Sequence, residues 1–326
     1  MTREFYGSMP DGRAVEVYTL SNTHLRAEIL TYGAALDRLF VPDRNGSMEN
    51  ILLTFGSLED RIAGSQYQGE IVGRYANRIA GGRFTFNGQE FHVTPNEKNG
   101  NCLHGGGEFS HAVWQVNHCE DTQIELCYTS PAGAHGFPGE VTATVRYILA
   151  GSGLVVEYRA VSDADTVLNL TNHAYFNLGG APYGLCGHAP YGLLGQGSIL
   201  DHILQIDAEH YLPVDENCIP TGELRPVAGT AFDFRAPRPI GQEYDHNFCN
   251  PKGINVYEPV SGRCMTVETD LPGVQLYTGI FLPAPNTAFC LETQAWPDSP
   301  NQWPEQCLLR AGETYRTQTS FEFSVK

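Results

Sequence analysis

Apolar and polar positions alternate with a period of two along most of this chain. Val141, Ala143, Val145 and Tyr147 form one series, Ile124, Leu126 and Tyr128 another, and Phe321, Phe323 and Val325 a third. Leu154-Val155-Val156-Glu157-Tyr158 follows a Gly151-Ser152-Gly153 break. Such alternation predicts antiparallel strands buried on one face. In residues 83–93, Phe84 and Phe86 precede Asn87-Gly88, and Phe91 and Val93 follow it. Asn-Gly accepts the positive φ angles of a type I′ turn, so this stretch predicts a hairpin. Pro42-Asp43-Arg44-Asn45-Gly46 marks a second turn. Helical periodicity is scarce, and Leu58 to Ala63 is the one stretch that predicts a short helix. Many short strands between Gly- and Pro-rich turns predict an all-β sandwich or barrel. No linker and no shift in composition divides the chain, so one domain is expected over residues 1–326.

Between Gly179 and Gly197 the pattern breaks. Ala181-Pro182-Tyr183-Gly184-Leu185 recurs as Ala189-Pro190-Tyr191-Gly192-Leu193. This Gly-, Pro- and Tyr-rich stretch is expected to be an exposed loop that tunes substrate access or self-association.

Composition narrows the function classes. Charged residues make up 17% of the 326 positions, below the usual quarter. The balance of 20 Lys plus Arg against 37 Asp plus Glu gives a net charge of −17. Nucleic acid and anionic membrane call for basic surfaces, so neither is expected as a partner. A neutral or cationic small molecule fits, although the charge also serves solubility alone. The nine cysteines are odd in number and contain no C-x-x-C pair. They form neither a zinc signature nor a disulfide framework, and scattered thiols suit a reducing cytosol. The first residues hold no apolar signal core, and no run of 18 apolar residues spans a membrane.

Several segments hold side chains that could do chemistry. Thr171-Asn172-His173-Ala174-Tyr175-Phe176-Asn177-Leu178 closes an apolar run, and Leu103-His104 precedes three glycines. Glycines let a backbone approach a ligand closely. Glu292 sits in the strand-like context Ala288-Phe289-Cys290-Leu291-Glu292-Thr293-Gln294, and a Glu there is rarely buried unless used or paired. Tyr244-Asp245-His246-Asn247-Phe248 is a compact polar patch. Gly73-Arg74-Tyr75-Ala76-Asn77-Arg78 offers two Arg and an Asn suited to fixed contacts with hydroxyl groups. Each segment taken alone also reads as plain structure: a satisfied core histidine, a flexible turn, an edge-strand Glu, a capped loop or a salt-bridged strand.

Taken together, these segments resemble the aldose 1-epimerase, or galactose mutarotase, family. The matching motifs are Gly73 to Ala80, Leu103-His104-Gly105-Gly106, Thr171 to Leu178, Tyr244 to Phe248, Pro272-Gly273-Val274-Gln275-Leu276-Tyr277-Thr278-Gly279, and Leu291 to Gln294 with Pro297-Asp298-Ser299-Pro300-Asn301. They stand in family order from about residue 30 onward. The resemblance implies a large antiparallel β-sandwich with an open sugar cleft and a free aldose as the partner, with no cofactor and no metal. It implies Glu292 as general base and His173 as general acid. His104 would lie near the ring oxygen, and Asn77, Arg78, Asp245 and Gln275 would hold sugar hydroxyls. Tyr175 and Phe281 are weaker candidates for the cleft wall. A monomer or homodimer in the cytoplasm is expected.

That chemistry matches the residue types. An aldose ring opens when the anomeric hydroxyl loses a proton and the ring oxygen gains one. A carboxylate and an imidazolium suit these two steps. No electron or group is transferred, and the His residues lack a spacing such as HExxH. Ala174 stands where the family usually has Ser, and the 179–197 stretch is longer than the family pattern. Three other readings compete, one of them a relative acting on phosphorylated hexoses, which would need extra basic residues near the cleft. A glycoside hydrolase would use Asp245 and Glu292 as a carboxylate pair, and a sugar-binding module would need neither His173 nor Glu292.

Overall fold

The computed structural model describes residues 1–64, 66–180 and 198–326. The stretch 181–197, with Tyr183 and Tyr191, therefore lies outside the described residues, and the loop expected there is not part of the description that follows.

The predicted strands form where the alternation placed them. Val141–Ala150 alternates buried and half-buried positions along its whole length, with Val141, Ala143, Val145 and Tyr147 inside. Arg83–Phe86 and Gln89–His92 pair as the expected hairpin, with Asn87 and Gly88 at φ of 48° and 76°. The Asp43 carboxylate accepts from the backbone N–H groups of Asn45 and Ser47, both at 2.8 Å, and so closes the second turn. Leu58–Ala63 is helical, and the Ser57 side chain caps it by accepting from the Asp60 N–H. Two further helical turns, Glu108–His111 and Ser299–Gln302, are too short to leave a periodic signal in the sequence.

The architecture is a β-sandwich. One layer is a nine-stranded antiparallel sheet that runs from Gln115–Glu120 at one edge to Arg238–Pro239 at the other. Its centre is Val141–Ala150, Gly153–Ser162 and Thr314–Val325. Facing it are two five-stranded sheets. The first comprises Thr2–Ser8 through Met48–Asn50 in chain order. The second runs Arg225–Pro226, His210–Tyr211, Asp245–Cys249, Gly273–Tyr277, Cys290–Gln294. Bridges from Leu52 to Phe176 and from Phe176 to Phe289 connect these two sheets. The main apolar core draws on all three sheets. Polar contacts also cross it: the Tyr147 hydroxyl donates to the Ala34 carbonyl at 2.7 Å, and the Thr293 and Thr319 hydroxyls meet at 2.6 Å.

Strand parity in the second five-stranded sheet decides where the polar residues go. Phe248, Val274, Leu276 and Leu291 point into the core. Residues an odd number of positions away along each strand must then point to the opposite face. Those residues are Asp245, Asn247, Gln275, Tyr277, Glu292 and Gln294.

The eight described cysteines are free thiols, and no described helix is long and apolar enough to cross a membrane.

One buried ionic network fixes the loop that leads towards this polar face. Arg61 is 2% exposed and donates through Nη1 to the Gln68 carbonyl at 2.6 Å and to Glu70 at 2.9 Å, while Nη2 binds Asp37. Burial holds the Glu70 carboxyl up at about 7 in spite of that partner. Removing the cation strands two acids in the interior. Arg61→Met is expected to cost about 3–5 kcal/mol in urea unfolding, and a loss below about 1 kcal/mol would show that the network does not hold this part of the fold.

Candidate active site

The polar face opens into a cleft of about 610 Å³. His173 and Glu292 lie at its floor. His173 follows the strand Thr171–Asn172, which pairs with Ile71–Val72. Its backbone is held on both sides: its N–H donates to the Glu70 carbonyl at 3.0 Å, and its carbonyl accepts from Gly69 at 2.9 Å. The imidazole stacks on Tyr175 with ring centres 5.0 Å apart. Its Nδ1 lies 3.5 Å from the Cys290 thiol, and its Nε2 lies 3.7 Å from Oε2 of Glu292. Glu292 comes from Cys290–Gln294, directly across from Gln275. Oε2 of Glu292 is buried and has no hydrogen-bond partner among the described residues.

Burial acts on both groups in the direction of neutrality. It pushes the Glu292 carboxyl up to about 8, with nearby Asp245 adding to the effect and Arg78 opposing it. It pulls His173 down to about 4. Between these values the pair keeps one proton, and in the empty cleft burial leaves that proton on the carboxyl.

His104 lies against His173, with ring centres 5.2 Å apart. Its Nδ1 accepts the Asn77 backbone N–H at 3.2 Å, and the His104 backbone N–H donates to the Asn77 carbonyl at 3.0 Å. A ring nitrogen that accepts carries no hydrogen, so the proton of neutral His104 sits on Nε2. Burial, His173 and Arg78 all keep His104 neutral. The turn that presents it needs Gly105, at φ 64°, because a Cβ there would come within 2.3 Å of the Gly73 carbonyl oxygen.

His104, His173 and Glu292 offer ligand atoms within 4.8 Å of one another, close enough to raise a metal site. The bonding of His104 does not fit one. A ligating imidazole normally gives its other N–H to an acceptor, whereas His104 receives an N–H at that nitrogen and keeps its proton on the other.

The remaining expected residues divide. Asn77, Arg78, Tyr175 and Asp245 line the cleft with the two histidines and Glu292. Asn77 adopts φ 64° and accepts the Arg78 N–H through its side chain at 2.8 Å. Arg78 is held by Glu97 through Nε and Nη2, both at 2.9 Å. Gln275 stands back from the cleft wall and donates to Asp245 Oδ1 at 2.6 Å, so it aims the carboxylate. Phe281 borders the cleft and is 71% exposed. Two polar residues of the matched motifs point elsewhere. Arg74 binds the carbonyls of Ser130, Pro131, Pro138 and Gly139 in the interior. His246 packs on Phe232 with ring centres 4.6 Å apart.

Sequence reasoning missed Gln66, Tyr67, Leu103 and Tyr277, which also line the cleft. Tyr277 was within reach, since it lies two residues from Gln275 on the same strand face. Tyr67 was not, because it sits at φ 54° in a loop with no periodicity.

Comparison with known proteins agrees with this geometry. The aldose 1-epimerase family model matches residues 16–322. A galactose mutarotase of Rattus norvegicus is 40% identical over 100% of this chain and 99% of its own. An aldose 1-epimerase of Escherichia coli is 35% identical over 99% of both chains. The crystal structure of a galactose 1-epimerase from Lactobacillus acidophilus superposes with a TM-score of 0.85 at 26% identity, covering 99% of this chain and 98% of that one. With this match over almost its whole length, and with this cleft, the chain belongs to the aldose 1-epimerase family.

Proposed function

We propose that the protein interconverts the α and β anomers of a free aldose, with galactose and glucose as the first candidates, and that His173 and Glu292 carry the proton transfers. The observation that supports this most is the buried pair at the cleft floor. The two side chains stand 3.7 Å apart, and burial drives each of them towards its neutral form.

In this reading the anomeric hydroxyl donates to Glu292 and the ring oxygen faces His173. Hydrogen bonds from the sugar favour the carboxylate, and the proton of the pair then passes to His173. Glu292 accepts the anomeric proton while His173 protonates the ring oxygen, and the ring opens. The carbonyl turns about the C1–C2 bond, and closure from its other face returns both protons. Proton exchange at Nε2 requires Nδ1 of His173 to keep its hydrogen, for which the Cys290 thiol is the acceptor.

His104 donates from Nε2 as a neutral group. Asp245, fixed by Gln275, accepts from a sugar hydroxyl, and Arg78, fixed by Glu97, donates to one. Fixed partners of this kind lower the barrier by orientation. Tyr175 and Tyr277 form an apolar wall for the sugar face. The whole chain acts as one domain in the cytosol, as a monomer or homodimer.

Glu292→Gln and His173→Asn each remove a proton-transfer group at nearly constant volume. Each is expected to lower mutarotation, followed by polarimetry on freshly dissolved galactose, by ~10²-fold or more. Retention of more than about a tenth of the activity by Glu292→Gln would remove it as the base.

The pH dependence follows from the same pair. Below about 4 both groups are protonated and no base remains, and above about 8 the pair has lost its proton and no acid remains. A bell-shaped kcat/KM profile with limbs near these values is expected. A rate still climbing through the alkaline limb would contradict the shared proton.

A further inference from the structure

The cleft does not end at Glu292. Strand register sets nine residues on the outward face of the site sheet in three rows. Asp245, Tyr277 and Cys290 form the first, Asn247, Gln275 and Glu292 the second, and Cys249, Gly273 and Gln294 the third. The first row lies towards the cleft mouth. Leu212, Trp296 and Trp303 pack with Cys249 of the third row as an apolar cap.

Between mouth and cap lies a strip of buried polar atoms that no group among the described residues satisfies. Both side-chain atoms of Asn247, both of Gln294, Oε1 of Gln275 and Oε2 of Glu292 lack a hydrogen-bond partner. These four residues are between 0% and 4% exposed. Buried amides left in this condition cost about 1–3 kcal/mol each, so such groups normally find partners.

Side-chain packing around Gly273 brings the Asn247 amide into the third row. Gly273 leaves a notch in the third row. A Cβ there would stand 2.7 Å from Oδ1 and 2.9 Å from Nδ2 of Asn247, and 2.9 Å from Cδ1 of Trp296. The Asn247 amide therefore leans across the notch, and Gln294 stands directly opposite Gly273. No direct bond joins the two amides, although both have a donor and an acceptor to offer. A water molecule needs two to four polar partners, and this strip supplies six from four residues in register.

We infer that the strip holds internal water bonded to Asn247, Gln275, Gln294 and the buried oxygen of Glu292, and that Asn247 and Gln294 are positioning residues for that carboxyl. Water on Oε2 fixes the carboxyl plane, so the other oxygen meets the sugar in a set orientation. The same water solvates the carboxylate at the moment it gives up its proton to His173. Gln294 stands two residues beyond Glu292 on the same strand face, and Asn247 lies in the same row as Glu292, on the far side of Gln275. The other groups that face Glu292 are Asp245 and Tyr277 on the neighbouring strands, Cys290 on its own, His173 and Tyr175, and Arg78 across the cleft.

The coupling rests on Glu292 as the proton-transfer group, whereas the water does not, and two measurements separate them. A crystal structure that resolves ordered water should show it within hydrogen-bond distance of Gln294 and of Oε2 of Glu292, in the wild type and in Glu292→Gln alike. A dry strip, with Asn247 and Gln294 bonded directly, overturns the inference. Mutarotation by Glu292→Gln at the wild-type rate would instead sink the catalytic assignment. Gln294→Met removes both amide atoms at similar volume. Loss of a hydrogen-bonded network that favours the charged form should move the alkaline limb of kcat/KM to higher pH by roughly half a unit or more. Gly273→Ala, which pushes a methyl group into the Asn247 amide, should move it the same way and serves if Gln294→Met does not fold. A lower Tm with an unmoved limb in both variants would make the strip purely structural and refute the positioning role.

Discussion

Two ionisable side chains, His173 and Glu292, stand 3.7 Å apart at the floor of a cleft with almost no exposure to solvent. Bulk solvent reaches neither charge there, and among the described residues neither has a close partner of fixed opposite charge already in place. Each is therefore driven towards its neutral form, and the pair is left with one proton that a bound sugar can redistribute. The rest of the site follows from keeping this arrangement in place. The Gly69–Glu70 backbone clamps His173, the Arg61 network anchors that backbone, and Tyr175 fixes the plane of the ring.

The sandwich makes such a pair possible through strand parity. A strand that buries Leu291 and Thr293 on one face must present Cys290, Glu292 and Gln294 on the other. Neighbouring strands do the same with Asp245 and Gln275. A polar row thus lies above an apolar core with no break in either. The nine-stranded sheet behind it supplies the burial that makes the row rigid. His104 joins from a separate turn, and its neutral tautomer follows from a single backbone N–H.

Much of this was legible in the sequence, and the reasons differ by element. Long alternating strands such as Val141–Ala150 declare themselves because one face is wet and the other dry. Asn87-Gly88 declares its turn through backbone sterics. The site residues were legible only through the ordered motifs, since a lone His or Glu has too many structural uses. The bond from Gln275 to Asp245 was not legible, because sequence shows the motif but not which side chain bonds which. Tyr67 and Gln66 come from a loop whose position is set by the buried Arg61 contact to Gln68, a tertiary interaction with no local signature. The unsatisfied amides of Asn247 and Gln294 became visible only once register and burial were known together.

The central claim is that Glu292 keeps its proton well above the usual carboxylate range in the free protein. Infrared difference spectroscopy, wild type minus Glu292→Gln, tests it most directly. The account predicts a protonated-carboxyl C=O band that persists through neutral pH and titrates away near pH 8. A band already lost near 4.5, the ordinary value for a Glu, would contradict it.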